Sequence, residues 1–181
     1  VPGNHDSPAV AGAIALRATV LDDETTVTAQ GLVVLGIGDP AGAGSDIEPD
    51  SALAGDRGVE AAAALGRLVA AGEEPPDIVA VHDPASGEPF AGLVGLVLSG
   101  HSHTPMLEVV DGTVFLGAGT TGGVHFTELR PDPHIAHGAA VLYFSRAEPG
   151  RLVVVDQIEV YGKNRQSAIR RTIIDEALPG D

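Results

Sequence analysis

The sequence predicts a mixed α/β fold of the α+β type, and three observations predict it. Two short apolar runs, 78–81 and 94–98, each lead straight into a polar loop, as buried strands with ligand-facing C-terminal ends do. A stretch from about 56 to 71 places Val59, Ala62, Ala63, Leu65, Leu68 and Val69 near a helical period, which argues for one amphipathic helix. Beyond residue 105 the pattern turns antiparallel. Asp111-Gly112 and Pro149-Gly150 each lie between strand-like runs, the positions of hairpin turns.

In chain order, residues 1–8 are expected as a loop, and Ala9 to Ala18 as a short helix with Pro8 at its start. Residues 25–29 and 32–37 alternate as two strands joined at Gln30-Gly31. The segment 38–54 is rich in Gly, Asp, Ser and Pro and is expected as a long loop. The helix at 56–71 ends at Gly72, and Pro75-Pro76 blocks its continuation. After the two buried strands come hairpin strands at 106–110 and 113–117, then at 139–145 and 152–160. Residues from about 161 to 181 are expected to form an edge strand or a tail. Neither an internal repeat nor an interdomain linker is visible.

The composition excludes several roles. With 25 acidic and 10 basic residues the formal charge is −15, so no nucleic-acid surface is expected and anionic membranes are disfavoured. Cysteine is absent, which removes disulfides and thiolate metal sites. No run of about 18 apolar residues occurs, so no segment is expected to span a membrane. No signal peptide is visible, and the compartment stays open. Aromatics are 3 % of the chain, so the core must be built from Val, Leu, Ile and Ala.

The candidate chemistry lies in histidines at strand ends and in the opening loop. His82 ends the first buried run, while His101 and His103 follow the second in Gly100-His101-Ser102-His103. A tight turn, with Gly100 supplying the freedom, would bring the last two round one centre. Imidazole suits Zn, Fe, Mn, Co and Ni. Asn4 offers a neutral carbonyl oxygen, and His5 beside Asp6 looks like an imidazole held by a carboxylate. Singly, each of these has a plain reading as a polar turn, a helix cap or a satisfied strand-end residue. Together, at strand-to-loop junctions in this order, they point to a metal site.

The Gly3-Asn4-His5-Asp6 block, the histidine in Ala80-Val81-His82-Asp83-Pro84, and Ser99-Gly100-His101-Ser102-His103-Thr104-Pro105 resemble the last three signature blocks of the calcineurin-like metallophosphoesterases. The run Gly31 to Pro40 looks like a strand that these enzymes carry between the first two of those blocks. The overall look is closest to bacterial members of the family, actinobacterial ones included, and the resemblance covers about residues 1–125. It implies that Asn4, His82 and His101 bind one metal and His103 the other. It also implies that His5 acts at the leaving group, oriented by Asp6. The fold implied is a four-layer αββα sandwich of two mixed sheets flanked by helices.

Two earlier blocks of that family, Asp-x-His and Gly-Asp-x-x-Asp, do not precede Gly3. They supply the bridging aspartate and most ligands of the first metal. The expectation is therefore a truncated sandwich lacking its first β-α-β-α segment, with residues 1–181 a single partial domain. The intact parent is expected to hydrolyse phosphoesters, as a phosphatase or phosphodiesterase, with two divalent metal ions (Mn, Fe or Zn). This chain alone is expected to hold at most one metal weakly, because the four candidate ligands are neutral, and to turn over little. Its expected partners are a phosphoester substrate and, through an exposed strand edge and apolar face, a second copy or the missing N-terminal half.

Two alternatives stand beside this reading. One is a catalytically inactive interaction module that keeps the scaffold. The other is a mononuclear zinc hydrolase with Asp83 as base. His125 is a candidate substrate contact. His134 and His137 are expected in a solvated loop, Asp39-Pro40 as a turn, and Arg170-Arg171 as surface charge.

Overall fold

Along the central strands successive apolar side chains go to opposite faces, so a sheet built from them must be covered on both sides. A computed structural model, which describes residues 1–22, 25–41, 51–120, 136–161 and 166–174, shows how that is met. Among these residues nine strands form: β1 (Thr25–Ala29), β2 (Leu32–Ile37), β3 (Ile78–Val81), β4 (Leu96–Ser99), β5 (Pro105–Val110), β6 (Thr113–Ala118), β7 (Ala136–Phe144), β8 (Leu152–Tyr161) and β9 (Gln166–Ile173). The helices are α1 (Pro8–Ala15), α2 (Ser51–Ala70) and the single turn α3 (Pro84–Gly87), which runs into a 3₁₀ turn at Glu88–Phe90.

The first six strands make one mixed sheet in the order β1-β2-β3-β4-β6-β5. Its centre, β2 to β3 to β4 to β6, is parallel, and antiparallel hairpins close both edges. The last three strands form a separate antiparallel sheet, β7-β8-β9. Leu35, Ile37, Val79, Val81, Val97 and Phe115 face α2 and the 3₁₀ turn, where Ala61, Ala62, Leu65 and Phe90 meet them. Ile78, Leu96, Val114 and Leu116 face the other way, onto Leu152 and Val155 of the second sheet and Ile174 just after its last strand. The fold is thus mixed α/β, with a helix layer, a mixed sheet and an antiparallel sheet stacked in that order. A second helical layer beyond the antiparallel sheet is not present among the described residues.

Most expected elements are found, with instructive shifts. Helix α2 starts at Ser51, inside the segment expected to be loop, and residues 42–50 of that segment lie outside the described residues. Its packing face also differs from the one the large apolar residues suggested. Val59 and Leu68 are 56 % and 54 % exposed, whereas Ala54, Gly58, Ala61, Ala62 and Leu65 are buried. The reason is close approach. Gly58 lies against the Ser86 carbonyl with no room for a Cβ, and the Ser86 hydroxyl donates to the Ala54 carbonyl at 2.8 Å. Small residues let α2 sit down on α3; Leu65 and Val69 reach the core, and Val59 and Leu68 are left outside.

Strand β4 begins two residues later than the run 94–98 suggested. The Val94 carbonyl accepts from the Thr113 hydroxyl at 2.7 Å instead of joining the ladder. The expected C-terminal edge strand is β9, although its tail, 175–181, lies outside the described residues. His137 is in β7 opposite Val160, not in a loop. Arg171 of β9 makes two hydrogen bonds to Asp156, at 2.7 and 2.6 Å. Those bonds hold the Asp156 carboxyl below the usual carboxylate range.

Candidate metal centre

The centre forms where β3 and β4 end. His82 is the residue after β3, and His101 comes two residues after β4. Parallel pairing puts Ala80 beside Leu98, so the two loop entrances are neighbours. The Gly100 N–H donates to the His82 carbonyl at 3.0 Å and carries the pairing past the strands. Such C-terminal ends are where open α/β sheets place ligands.

The opening loop is brought in by two devices. It closes on itself, because the Gly3 N–H donates to the Asp6 carboxylate at 2.9 Å and the Asp6 N–H donates to the Gly3 carbonyl at 2.9 Å. It is then tied to the end of β2, where the Asp39 N–H donates to the Pro2 carbonyl at 3.1 Å. Ser7 caps α1 by accepting from the Val10 N–H, and Pro8 begins the helix. Gly3 is buried against His82, and a Cβ there would lie 2.5 Å from His82 Nδ1. The loop can carry Asn4 to the histidine only because residue 3 has no side chain.

Three donor atoms converge as a result. Asn4 Oδ1 is 3.0 Å from His82 Nε2, and His101 Nδ1 is 3.2 Å from the same nitrogen. The two rings meet edge to face, with centroids 5.1 Å apart and planes at 79°. Both contacts are of hydrogen-bond length, and both can also be compared with the spacing of ligands round one cation. Ligands about 2.1 Å from one cation stand roughly 3.0 Å apart on an octahedral edge and roughly 3.4 Å apart on a tetrahedral one. The two separations to His82 Nε2 fall in or near that range, so these donors are compatible with a divalent cation. Among the described residues no group of three His, Asp or Glu side chains is poised to hold a metal; Asn4 is what completes this trio.

Charge around the trio is favourable. Burial holds the His82 pKa below the ordinary histidine value, opposed by Asp39, assisted by His101, and opposed again by Asp83 and Asp6. A neutral imidazole keeps its lone pair for a cation. The three carboxylates supply the negative charge that the neutral ligands lack. Each is also engaged with the backbone: Asp6 with Gly3 N–H, Asp39 with Ala41 N–H at 2.8 Å, Asp83 with Ala85 N–H at 2.9 Å.

Asp83 is 5 % exposed. Besides capping α3 it accepts from the Ser51 hydroxyl at 2.8 Å, and it stands 3.9 Å from His101 Nε2. A general base needs a free, reachable carboxylate. Asp83 is neither, which weighs against the mononuclear hydrolase alternative.

The remaining candidates are placed differently. His103 is exposed and takes none of the hydrogen bonds that join the trio. His5 is exposed too, and Asp6 turns one oxygen to the loop backbone. The turn at 100–103 gets its left-handed residues from His101 (φ 60°) and His103 (φ 55°), not from Gly100. His125 and His134 lie outside the described residues. A cavity of about 330 Å³ on the helix side of the mixed sheet, floored by Val97, Met106 and Phe115, is lined by none of the six candidate residues. The sequence marks Gly3 within the opening block and Asp83 only as an alternative base, and it marks neither Ser51 nor Asp39 as part of the centre. Asp39, read there as a turn residue, is the polar residue at the end of a third parallel strand.

No family model matches this chain, and no curated protein matches it. Among solved structures it is similar to Vps29 from Entamoeba histolytica complexed with Zn²⁺, at 13 % identity and a TM-score of 0.42, over 87 % of this chain and 64 % of that one. It is similar to a hypothetical protein from Thermus thermophilus at 23 % identity and 0.39, over 81 % and 61 %. It is similar to Vps29 from Cryptosporidium parvum at 13 % and 0.40, over 94 % and 77 %. The chain spans less than two thirds of the length of the first two. A likeness this distant carries no functional argument, and the side chains must carry it instead.

Proposed function

We propose that this chain contributes to metal-dependent phosphoester hydrolysis of the calcineurin-like metallophosphoesterase kind, as the part that holds one divalent cation. The observation that carries the reading is the convergence of Asn4 Oδ1, His82 Nε2 and His101 Nδ1 at separations of 3.0 and 3.2 Å. A divalent cation bound there supplies charge against the phosphoryl oxygens and lowers the pKa of a bound water. Asn4, His82 and His101 hold and orient it, and burial keeps His82 in the neutral form that this needs. His5, beside Asn4 and exposed, is in this reading the proton donor to the leaving alkoxide. His103 is the side chain left for a second cation. The chain's charge of −15 repels phosphate, so substrate binding should depend strictly on metal.

One observation favours the second reading, a non-catalytic cation-binding module. The nearby carboxylates of Asp6, Asp39 and Asp83 each accept from a backbone N–H, and among the described residues none is hydrogen-bonded to His103. Calorimetric titration with Mn²⁺ or Zn²⁺, followed by orthovanadate binding and hydrolysis of bis(4-nitrophenyl) phosphate, tests both readings. The expected result is one cation per chain, metal-dependent vanadate binding and slow turnover, all lost in H82A. Cation binding without vanadate binding or turnover supports the module. No cation binding at all overturns both.

A further inference from the structure

We infer that Asp83, fixed by Ser51, is the positioning residue that decides which nitrogen of His101 faces the cation. The inference rests on the metal-binding reading above and adds a residue to it.

A neutral imidazole carries one N–H, on either Nδ1 or Nε2. In His101 the two nitrogens look in opposite directions. Nδ1 is 3.2 Å from His82 Nε2, on the side of the trio. Nε2 is 3.9 Å from Asp83 Oδ2. With the proton on Nε2, an N–H faces a carboxylate and the Nδ1 lone pair is free for a cation. With the proton on Nδ1, a lone pair faces the carboxylate and an N–H blocks the cation position. The separation is in the ion-pair range rather than a made hydrogen bond. Asp83 is 5 % exposed and fixed in place, while the His101 side chain is 38 % exposed, so water screens the pair in part and the carboxylate biases the tautomer by its sign and position. Histidine, carboxylate and metal in this order is a common arrangement for setting a ligand's tautomer.

Asp83 can do this because it cannot turn away. Oδ1 accepts from Ala85 N–H at 2.9 Å and Oδ2 accepts from the Ser51 hydroxyl at 2.8 Å. Ser51 opens α2, and the first turns of α2 are locked to α3 by the Ser86 hydroxyl on the Ala54 carbonyl and by Gly58 against Ser86. The start of the longest helix is thereby coupled to the orientation of one metal ligand.

Asp83→Asn tests this. Asparagine caps a helix as well as aspartate does, so α3 and its packing survive while the charge is lost. Long-range ¹H–¹⁵N imidazole spectra of the metal-free protein at pH 8 should show His101 protonated on Nε2 in the wild type. In D83N the signal should move to a mixture of tautomers. Co²⁺ affinity by chelator competition should fall about 10–100-fold, with the melting temperature of the metal-free variant within a few degrees of wild type. Ser51→Ala keeps every charge and should weaken Co²⁺ several-fold, which serves if D83N does not fold. Wild-type His101 protonated on Nδ1, or full Co²⁺ affinity in D83N (in S51A where D83N does not fold), overturns the inference. If the wild type binds no Co²⁺, the metal-binding reading fails instead, and the tautomer of metal-free His101 alone decides this one.

Discussion

Gly3→Ala should empty the centre of its geometry while leaving the chain folded. The added Cβ would lie 2.5 Å from His82 Nδ1 and 2.6 Å from Cε1. Ordinary carbon contacts start near 3.5 Å, so the imidazole must retreat by roughly 1 Å. His82 Nε2 now sits 3.0 Å from Asn4 Oδ1 and 3.2 Å from His101 Nδ1. Metal sites tolerate displacements of only about 0.2 Å in ligand distance, so the retreat removes His82 from the set. Losing one of three donors should weaken Co²⁺ or Zn²⁺ by roughly 100-fold or more, above the 10–100-fold for a supporting residue. The backbone at residue 3 is not left-handed, so alanine fits the loop itself and the overpacking costs about 1–3 kcal/mol. Calorimetry with Zn²⁺ on folded G3A, checked by circular dichroism, is the assay. Zinc binding within threefold of wild type would refute the idea that close approach at Gly3 sets the ligand geometry.

Other perturbations have clear expected signs. Asn4→Ala should abolish one-to-one cation binding in calorimetry without moving the melting temperature of the metal-free chain by more than a few degrees. Gly58→Ala adds helix propensity worth about 1 kcal/mol, but its Cβ meets the Ser86 carbonyl. Overpacking against backbone should win, and urea unfolding should show net destabilisation. Phe90→Ala empties a fully buried site between α2 and the mixed sheet and should cost about 3–5 kcal/mol in the same assay. His82 has a depressed pKa in the folded chain, so the unfolded chain takes up a proton first as pH falls below about 6.5. Stability from this group is therefore intact above that value and lost as pH falls toward the depressed folded pKa. Chemical denaturation from pH 8 to 5 should show this acid loss in the wild type and a smaller one in H82A.

Much of this was legible in the chain. Short Val- and Ile-rich runs that stop at His82 and Ser99 located β3 and β4, because strands buried on both faces need continuous apolar sequence. The Asp111-Gly112 turn fixed the β5–β6 hairpin, since both residues take left-handed backbone, at φ 49° and 80°. The start of α2 was not legible, and of its predicted face only Ala62, Leu65 and Val69 meet the core. A helix that meets α3 through Ala54 and Gly58 has an interface made of absences, which no hydrophobic period reports. In the site, types and order pointed to Asn4, His82, His101 and His103; the fold brings the first three together and leaves His103 exposed. The clamp from Ser51 to Asp83 joins residues 32 apart, so it exists only once α2 has docked.

The parallel centre of the sheet governs how the chain reaches this state. Val34 pairs with Ile78, and β4 must then find β6 around the β5 excursion. Closing spans of that length costs entropy before any contact is gained, whereas the hairpins β1–β2, β5–β6 and β7–β8 join near neighbours and close within about 1–10 μs. The rate of assembly is therefore set by the long-range parallel pairings, and one of these, β3 with β4, brings His82 and His101 side by side.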